Sequence, residues 1–89
     1  MKRTLTSASI ELLLEELEYE KIHCKNSEDA SAWIGHHCFT RTSNAWELER
    51  FYFDKNKEIT GSDFLVSVGD SLYHKDVASI MLAAIAANQ

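Results

Sequence analysis

The chain has 89 residues, 45% of them apolar, with two Trp, three Tyr, four Phe and a net charge of −5. A length of this order sustains one hydrophobic core and excludes a cofactor domain joined to a substrate domain, so residues 1–89 are read as a single small globular domain. The apolar share excludes the composition of a disordered chain, and with no proline and only Gly35, Gly61 and Gly69 there is no linker-like stretch.

The charge is concentrated. Between Ile10 and Asp29, the acids Glu11, Glu15, Glu16, Glu18, Glu20, Glu28 and Asp29 face only Lys21 and Lys25, and this segment carries the whole net charge. Such a field repels phosphate backbones and attracts basic protein surfaces. Met1-Lys2-Arg3 is followed by Glu11, Glu15 and Glu16 where a secretory leader needs an uninterrupted apolar run, and the apolar stretch from Val77 to Ala87 is far shorter than the roughly 20 residues of a membrane span. A cytoplasmic protein with reduced thiols at Cys24 and Cys38 and no membrane partner is expected.

In chain order, a first helix is predicted from Thr6 or Ser7 to Tyr19 or Lys21, because Ile10, Leu13, Leu14 and Leu17 form one apolar stripe and Thr4, Thr6 and Ser7 are competent caps. Leu12 and Tyr19 either widen that stripe or make a side contact. Next comes a short helix from Ser27 to Ile34, capped by Asn26 or Ser27, stopped by Gly35, with Ala30, Trp33 and Ile34 facing the core. Two strands follow at His36–Thr42 and Trp46–Phe53, joined at Ser43-Asn44, although the pattern of residues 46–53 also leaves a helix open. Asp54-Lys55-Asn56-Lys57 reads as a turn into a third strand over Ile59–Val68, ended by Gly69-Asp70. The last element is a helix from about His74 to Ala87, apolar on nearly all sides and therefore expected to be buried on more than one.

The expected fold is α+β: two N-terminal helices, a three-stranded antiparallel sheet and a C-terminal helix, with an all-α bundle as the alternative.

The residues bearing chemistry are few. His23, Cys24, His36, His37 and Cys38 are zinc-ligating types, but they lack the paired C-x-x-C or H-x-x-x-H spacing that brings two ligands to one ion. A small metal-binding domain using Cys24, His36 and Cys38 is kept as one alternative; no cofactor or metal is expected. No nucleophile elbow or phosphate cradle is present, and the chain offers little room for a substrate pocket, so an enzyme is not expected. The nine lysines and arginines are scattered rather than striped, which argues against direct nucleic-acid binding.

Two features go beyond what a plain fold requires. The first is the acidic helix, with Glu11, Glu15, Glu16, Glu18 and Glu20 as candidate contacts to a basic partner surface, set against a merely solvated face. The second is Trp46–Phe53. As a strand it puts Trp46, Leu48, Arg50 and Tyr52 on one face and Glu47, Glu49, Phe51 and Phe53 on the other. Aromatics and arginine commonly anchor interfaces, so Trp46, Arg50 and Tyr52 are the candidate contacts here, set against a core strand. The reading that follows is a small acidic protein-binding domain, an inhibitor or antagonist of the immunity or phage type that blocks a basic surface of a target protein. A homodimer assembled through Val77, Met81, Leu82 and Ile85 of the C-terminal helix is the other alternative.

Overall fold

The computed structural model describes residues 5–23 and 29–89. Among them, α1 (Ser7–His23) is followed by four strands, β1 (Ala30–Ile34), β2 (His37–Arg41), β3 (Ala45–Phe53) and β4 (Ile59–Gly69), and then by α2 (His74–Ala87). The strands form one antiparallel meander in the order β1-β2-β3-β4. Both helices lie on the same face of this sheet.

α1 begins with a reciprocal cap. Thr6 Oγ1 accepts from the Ser9 amide at 3.1 Å while Ser9 Oγ accepts from the Thr6 amide at 3.0 Å, satisfying two backbone donors that a helix start leaves orphaned. Ile10, Leu14 and Leu17 are buried, as their spacing predicts. Leu12 and Tyr19 do not widen that stripe; they point to solvent.

The predicted helix over Ser27–Ile34 is replaced, over the residues described, by β1. Residues 27 and 28 lie outside the described set. Ala30, Ala32 and Ile34 turn inward while Ser31 and Trp33 turn outward, a period of two rather than 3.6. Gly35 does not stop a helix but opens a two-residue hairpin turn with His36. Its φ of +60°, with no such value at His36, is the geometry of a turn that needs glycine at its first central position. The remaining predicted strands and both predicted turns are present. Asp54 Oδ1 accepts from the amides of Asn56 and Glu58 to hold the β3–β4 loop. The all-α alternative and a helix over 46–53 are both excluded by the meander.

The sheet register sorts residues into two faces. Ala30, Arg41, Trp46 and Val68 lie in one inward row, and Ala32, Phe39, Leu48 and Val66 in the next. Helix residues Ile10, Leu14, Leu17, Val77, Ala78, Met81 and Ile85 pack onto these rows to complete the core. Each large aliphatic or aromatic side chain fully buried there is worth about 1.5–3 kcal/mol in transfer free energy.

One buried cation ties these layers together. Arg41 donates from Nε to Glu18 Oε2 of α1 at 2.6 Å, and from Nη1 to the carbonyls of Thr42 and Ala45 at 2.9 and 3.3 Å. Its Nη2 reaches Asp70 Oδ2, just after β4, at 3.4 Å, and the guanidinium lies 4.7 Å from the centroid of the Trp46 ring. Removing one partner of a buried pair leaves the other charge uncompensated. Glu18→Ala is expected to cost about 2 kcal/mol in urea unfolding, short of the roughly 3–5 kcal/mol of a fully buried pair because Asp70 and two carbonyls remain. Glu15→Ala, one turn away and exposed, is expected to stay within about 0.5 kcal/mol of the wild type.

Candidate functional site

The five glutamates of α1 have different roles. Glu18 is engaged by Arg41, its side chain only 31% exposed, and so is a structural residue rather than the free contact that its place in the acidic cluster implies. Glu11 is half-buried and, with Glu15, lines an open groove of about 420 Å³ against Leu72, Tyr73, His74 and Lys75 at the start of α2. Glu15, Glu16 and Glu20 are exposed. Between them, on the same outward side, lie Leu12, Tyr19 and Ile22, which are 62%, 64% and 65% exposed, and Tyr19 stacks on His23 at 4.0 Å between ring centroids. α1 thus presents apolar and acidic side chains together on a surface that the core does not use.

The second candidate surface is corrected by burial. Trp46 is a core residue, packed under Arg41 and edge-on to His74 at 5.4 Å, and is closed to any partner. Arg50 and Tyr52 share its face but lie further along β3, in and beyond the row Ile34–His37–Arg50–Asp63. There the Arg50 guanidinium sits 5.2 Å from the Tyr52 ring, and the Tyr52 hydroxyl donates to Asp63 at 2.6 Å, which raises the pKa of the phenol. The two side chains thus meet through the ring face at the end of the inner face, with Tyr52 bonded to Asp63 and the buried Arg50 Nε without a hydrogen-bond partner.

The C-terminal helix residues are likewise spent within the chain. Val77, Met81 and Ile85 are in the core and Leu82 packs at its margin. α1 beside it and the sheet beneath it cover the Val77, Ala78, Met81 and Ile85 side of α2, while Ile80, Ala83, Ala86 and Ala87 stay exposed. A homodimer contact through Val77, Met81 and Ile85 would require opening the core.

Of the zinc-type residues, Cys24 lies outside the described set. His36 is in the hairpin turn against Phe53, with ring centroids 4.9 Å apart, while His37 and Cys38 project from opposite faces of β2. Among the described residues, no three His, Cys, Asp or Glu side chains converge as metal ligands. Among them, too, no helix is long and apolar enough to cross a membrane.

The surface that sequence reasoning passed over is the outer face of the sheet. Trp33 meets Phe51 in a tilted arrangement, with ring centroids 4.8 Å apart and planes at 51°, and lies 6.4 Å from Phe53, with Glu47, Glu49, Phe64 and Ile59 on the same side. The division of β3 into a Trp46 face and a Phe51 face was legible. Which of the two is open depends on where the helices pack, and the Trp33 contribution was hidden by the helix assignment. The small–large alternation of Ala30-Ser31-Ala32-Trp33-Ile34 is the signal that points to a strand there.

No family model, curated protein or solved structure matches this chain.

The titration of His37 follows from its position. Burial, and after it the charges of Arg50 and His36, hold the imidazole below its usual pKa of 6.5. A histidine kept neutral by the fold protonates more readily in the unfolded chain. Stability is therefore retained above pH 6.5 and is lost progressively as pH falls below that value toward the folded pKa. Between pH 7 and pH 5 the thermal midpoint of the wild type is expected to fall further than that of His37→Gln, measured by circular dichroism in matched buffers.

Proposed function

We propose that the protein is a small acidic protein-binding domain, an inhibitor or antagonist that occupies a basic surface of a target protein through the outward side of α1. The observation that carries this reading is the mixture on that side of Leu12, Tyr19 and Ile22 with Glu15, Glu16 and Glu20, all exposed. None of the six belongs to the core cluster. The pair Glu16 and Glu20, four residues apart, repels by about 0.2–0.5 kcal/mol in a helix, and three large apolar side chains in water leave burial energy unused. A partner surface with a shallow apolar groove rimmed by lysine or arginine recovers both terms, in the manner of an amphipathic helix laid into a groove. Carboxylates at the rim steer the encounter, so they act on association rate and its salt dependence as much as on affinity.

Charge reversal separates this role from simple solubility. In Glu15→Lys/Glu16→Lys/Glu20→Lys, the thermal midpoint is expected to hold or rise as like-charge repulsion is relieved. Proteins captured from the native host by the wild type should be lost, and association of the purified partner should slow by at least about tenfold. Wild-type association should also weaken as the screening length falls from about 10 Å at 0.1 M salt to about 3 Å at 1 M. Capture and rates indifferent to both reversal and salt would remove the α1 reading.

A further inference from the structure

The outer face of the sheet is a second surface, on the side away from α1, and its composition is selective. Reading the register across the strands, the outward positions are Ser31 and Trp33 in β1, Cys38 and Thr40 in β2, and Glu47, Glu49, Phe51 and Phe53 in β3. In β4 they include Ile59, Ser62, Phe64 and Ser67. The two cations within the four strands, Arg41 and Arg50, both belong to the inner face. The outer face therefore combines aromatic rings with two carboxylates and no basic side chain at any of these strand positions.

Irregularities in β4 build this face rather than blunt it. Leu48 pairs with Val66 but Glu49 pairs with Phe64, and Tyr52 pairs with Gly61 but Phe53 with Ile59, so one extra residue of β4 is accommodated at each step. Regular alternation from Val66 and from Gly61 would send Phe64 and Ile59 inward; each bulge brings an apolar side chain outward instead. Phe64 is consequently 61% exposed and Trp33 43%.

The row Trp33–Cys38–Glu49–Phe64 runs straight across the sheet, with Phe51 two residues along β3 from Glu49. Neighbouring strands are about 4.8 Å apart, so Glu49 lies directly beside Phe64 and within about 10 Å of Trp33. Glu47 and Glu49 are half-buried, and among the described residues neither is in an ion pair. The field of Glu49 is felt locally. The Cys38 thiol is pushed up chiefly by burial, with the Thr40 hydroxyl opposing and the Glu49 carboxylate adding to the rise.

We infer that this face docks a polypeptide segment presenting arginine among apolar side chains, with the guanidinium stacked on Trp33 or Phe64 and paired to Glu49. Arginine suits the geometry better than lysine, because its planar guanidinium stacks on an aromatic face and makes parallel hydrogen bonds to a carboxylate at the same time. Single-stranded nucleic acid also uses aromatic sheets, but it requires cations along the backbone track, and along the row from Trp33 through Glu49 to Phe64 the charge is of the opposite sign, with Lys57 and His36 confined to the Phe53 end of the face. A second copy of the chain would set Glu47 and Glu49 of one sheet against those of the other with no cation from either strand set to compensate. This inference concerns a separate surface and stands whether or not α1 binds a target.

The test is an NMR titration of the full-length ¹⁵N-labelled protein with a synthetic peptide of about ten residues, long enough to cross the face, in which arginine alternates with leucine. Two controls are a matched peptide with glutamate in place of arginine, and oligo(dT). Saturable shifts are expected at the Trp33 indole N–H and the amides of Glu49, Phe51 and Phe64, with neither control producing them. Glu49→Gln and Phe64→Ser should each weaken binding by at least about tenfold, while Glu15→Lys/Glu16→Lys changes it less than about twofold. Both sheet variants alter exposed or half-buried side chains, and an unchanged amide spectrum elsewhere certifies their fold. Shifts confined to α1, equal binding of the glutamate peptide, tighter binding of oligo(dT), or no saturation by about 1 mM would each overturn the inference. Loss of binding in the α1 variant with none in the sheet variants would leave the α1 reading standing and remove this one.

Discussion

The Arg41 guanidinium is the interaction on which the arrangement of the domain depends. It is buried at the point where α1, the β2–β3 turn and the segment joining β4 to α2 converge, and it bonds to all three while lying against Trp46. A buried cation is tolerated only when its donors are met. Two carboxylates and two carbonyls meet them here, and they do so only if α1 lies across the sheet with Glu18 directed inward. That constraint fixes the rotation of α1 about its own axis. With Glu18 held at the sheet and Ile10, Leu14 and Leu17 in the core, Leu12, Glu15, Glu16 and Tyr19 have no alternative but to face outward.

The same constraint makes the sheet two-sided. Trp46 and Phe39, with Leu48, supply the large inward side chains of the central strands, and both helices are drawn to that face. The opposite face remains uncovered although it holds Trp33, Phe51, Phe53 and Phe64. Among the described residues the two helices form one layer, and it covers only the Trp46 face of the four-stranded sheet. Alternating strands with a polar outer face would be the ordinary solution. Glu47, Glu49, Ser31, Thr40, Ser62 and Ser67 follow it; the aromatic residues do not.

Much of this was legible in the sequence, for identifiable reasons. α1 follows from the i, i+3, i+4, i+7 spacing of Ile10, Leu13, Leu14 and Leu17, and α2, from its long apolar run, spans the predicted His74–Ala87. Two hairpin connections follow from Ser43-Asn44 and from Asp54–Lys57. The fold departs from the local signals at one element: Asn26, Ser27, Glu28 and Asp29 resemble a helix cap with an acidic first turn, and Gly35 resembles a helix stop. Both signals are local, whereas Ala30–Ile34 is held as a strand by its pairing with His37–Arg41, a contact that no local rule anticipates. Burial separates the candidate contacts for a related reason. An arginine and a tryptophan in one strand suggest an interface, but Arg41 rather than Arg50 is the neighbour of Trp46, and together they build the inside of the domain. Glu18 could not be separated from Glu15 and Glu16 by composition, because only the partner 23 positions later distinguishes it.

The distribution of charge follows from the same geometry and limits what the molecule can associate with. Arg41 and Arg50 are held on the inner face, so the strands retain no cation with which to neutralise Glu47 and Glu49 outside, and α1 shows Glu15, Glu16 and Glu20 on the far side of the domain. Two surfaces that bear exposed apolar groups are thus both fringed by carboxylates. Exposed apolar patches alone invite self-association. Carboxylates among them impose a repulsion between identical copies that a cationic partner does not meet, so the residues that favour binding also discriminate against the wrong binding. Apolar area supplies the affinity on each surface, and the sign of the surrounding charge decides which partners can approach closely enough to use it.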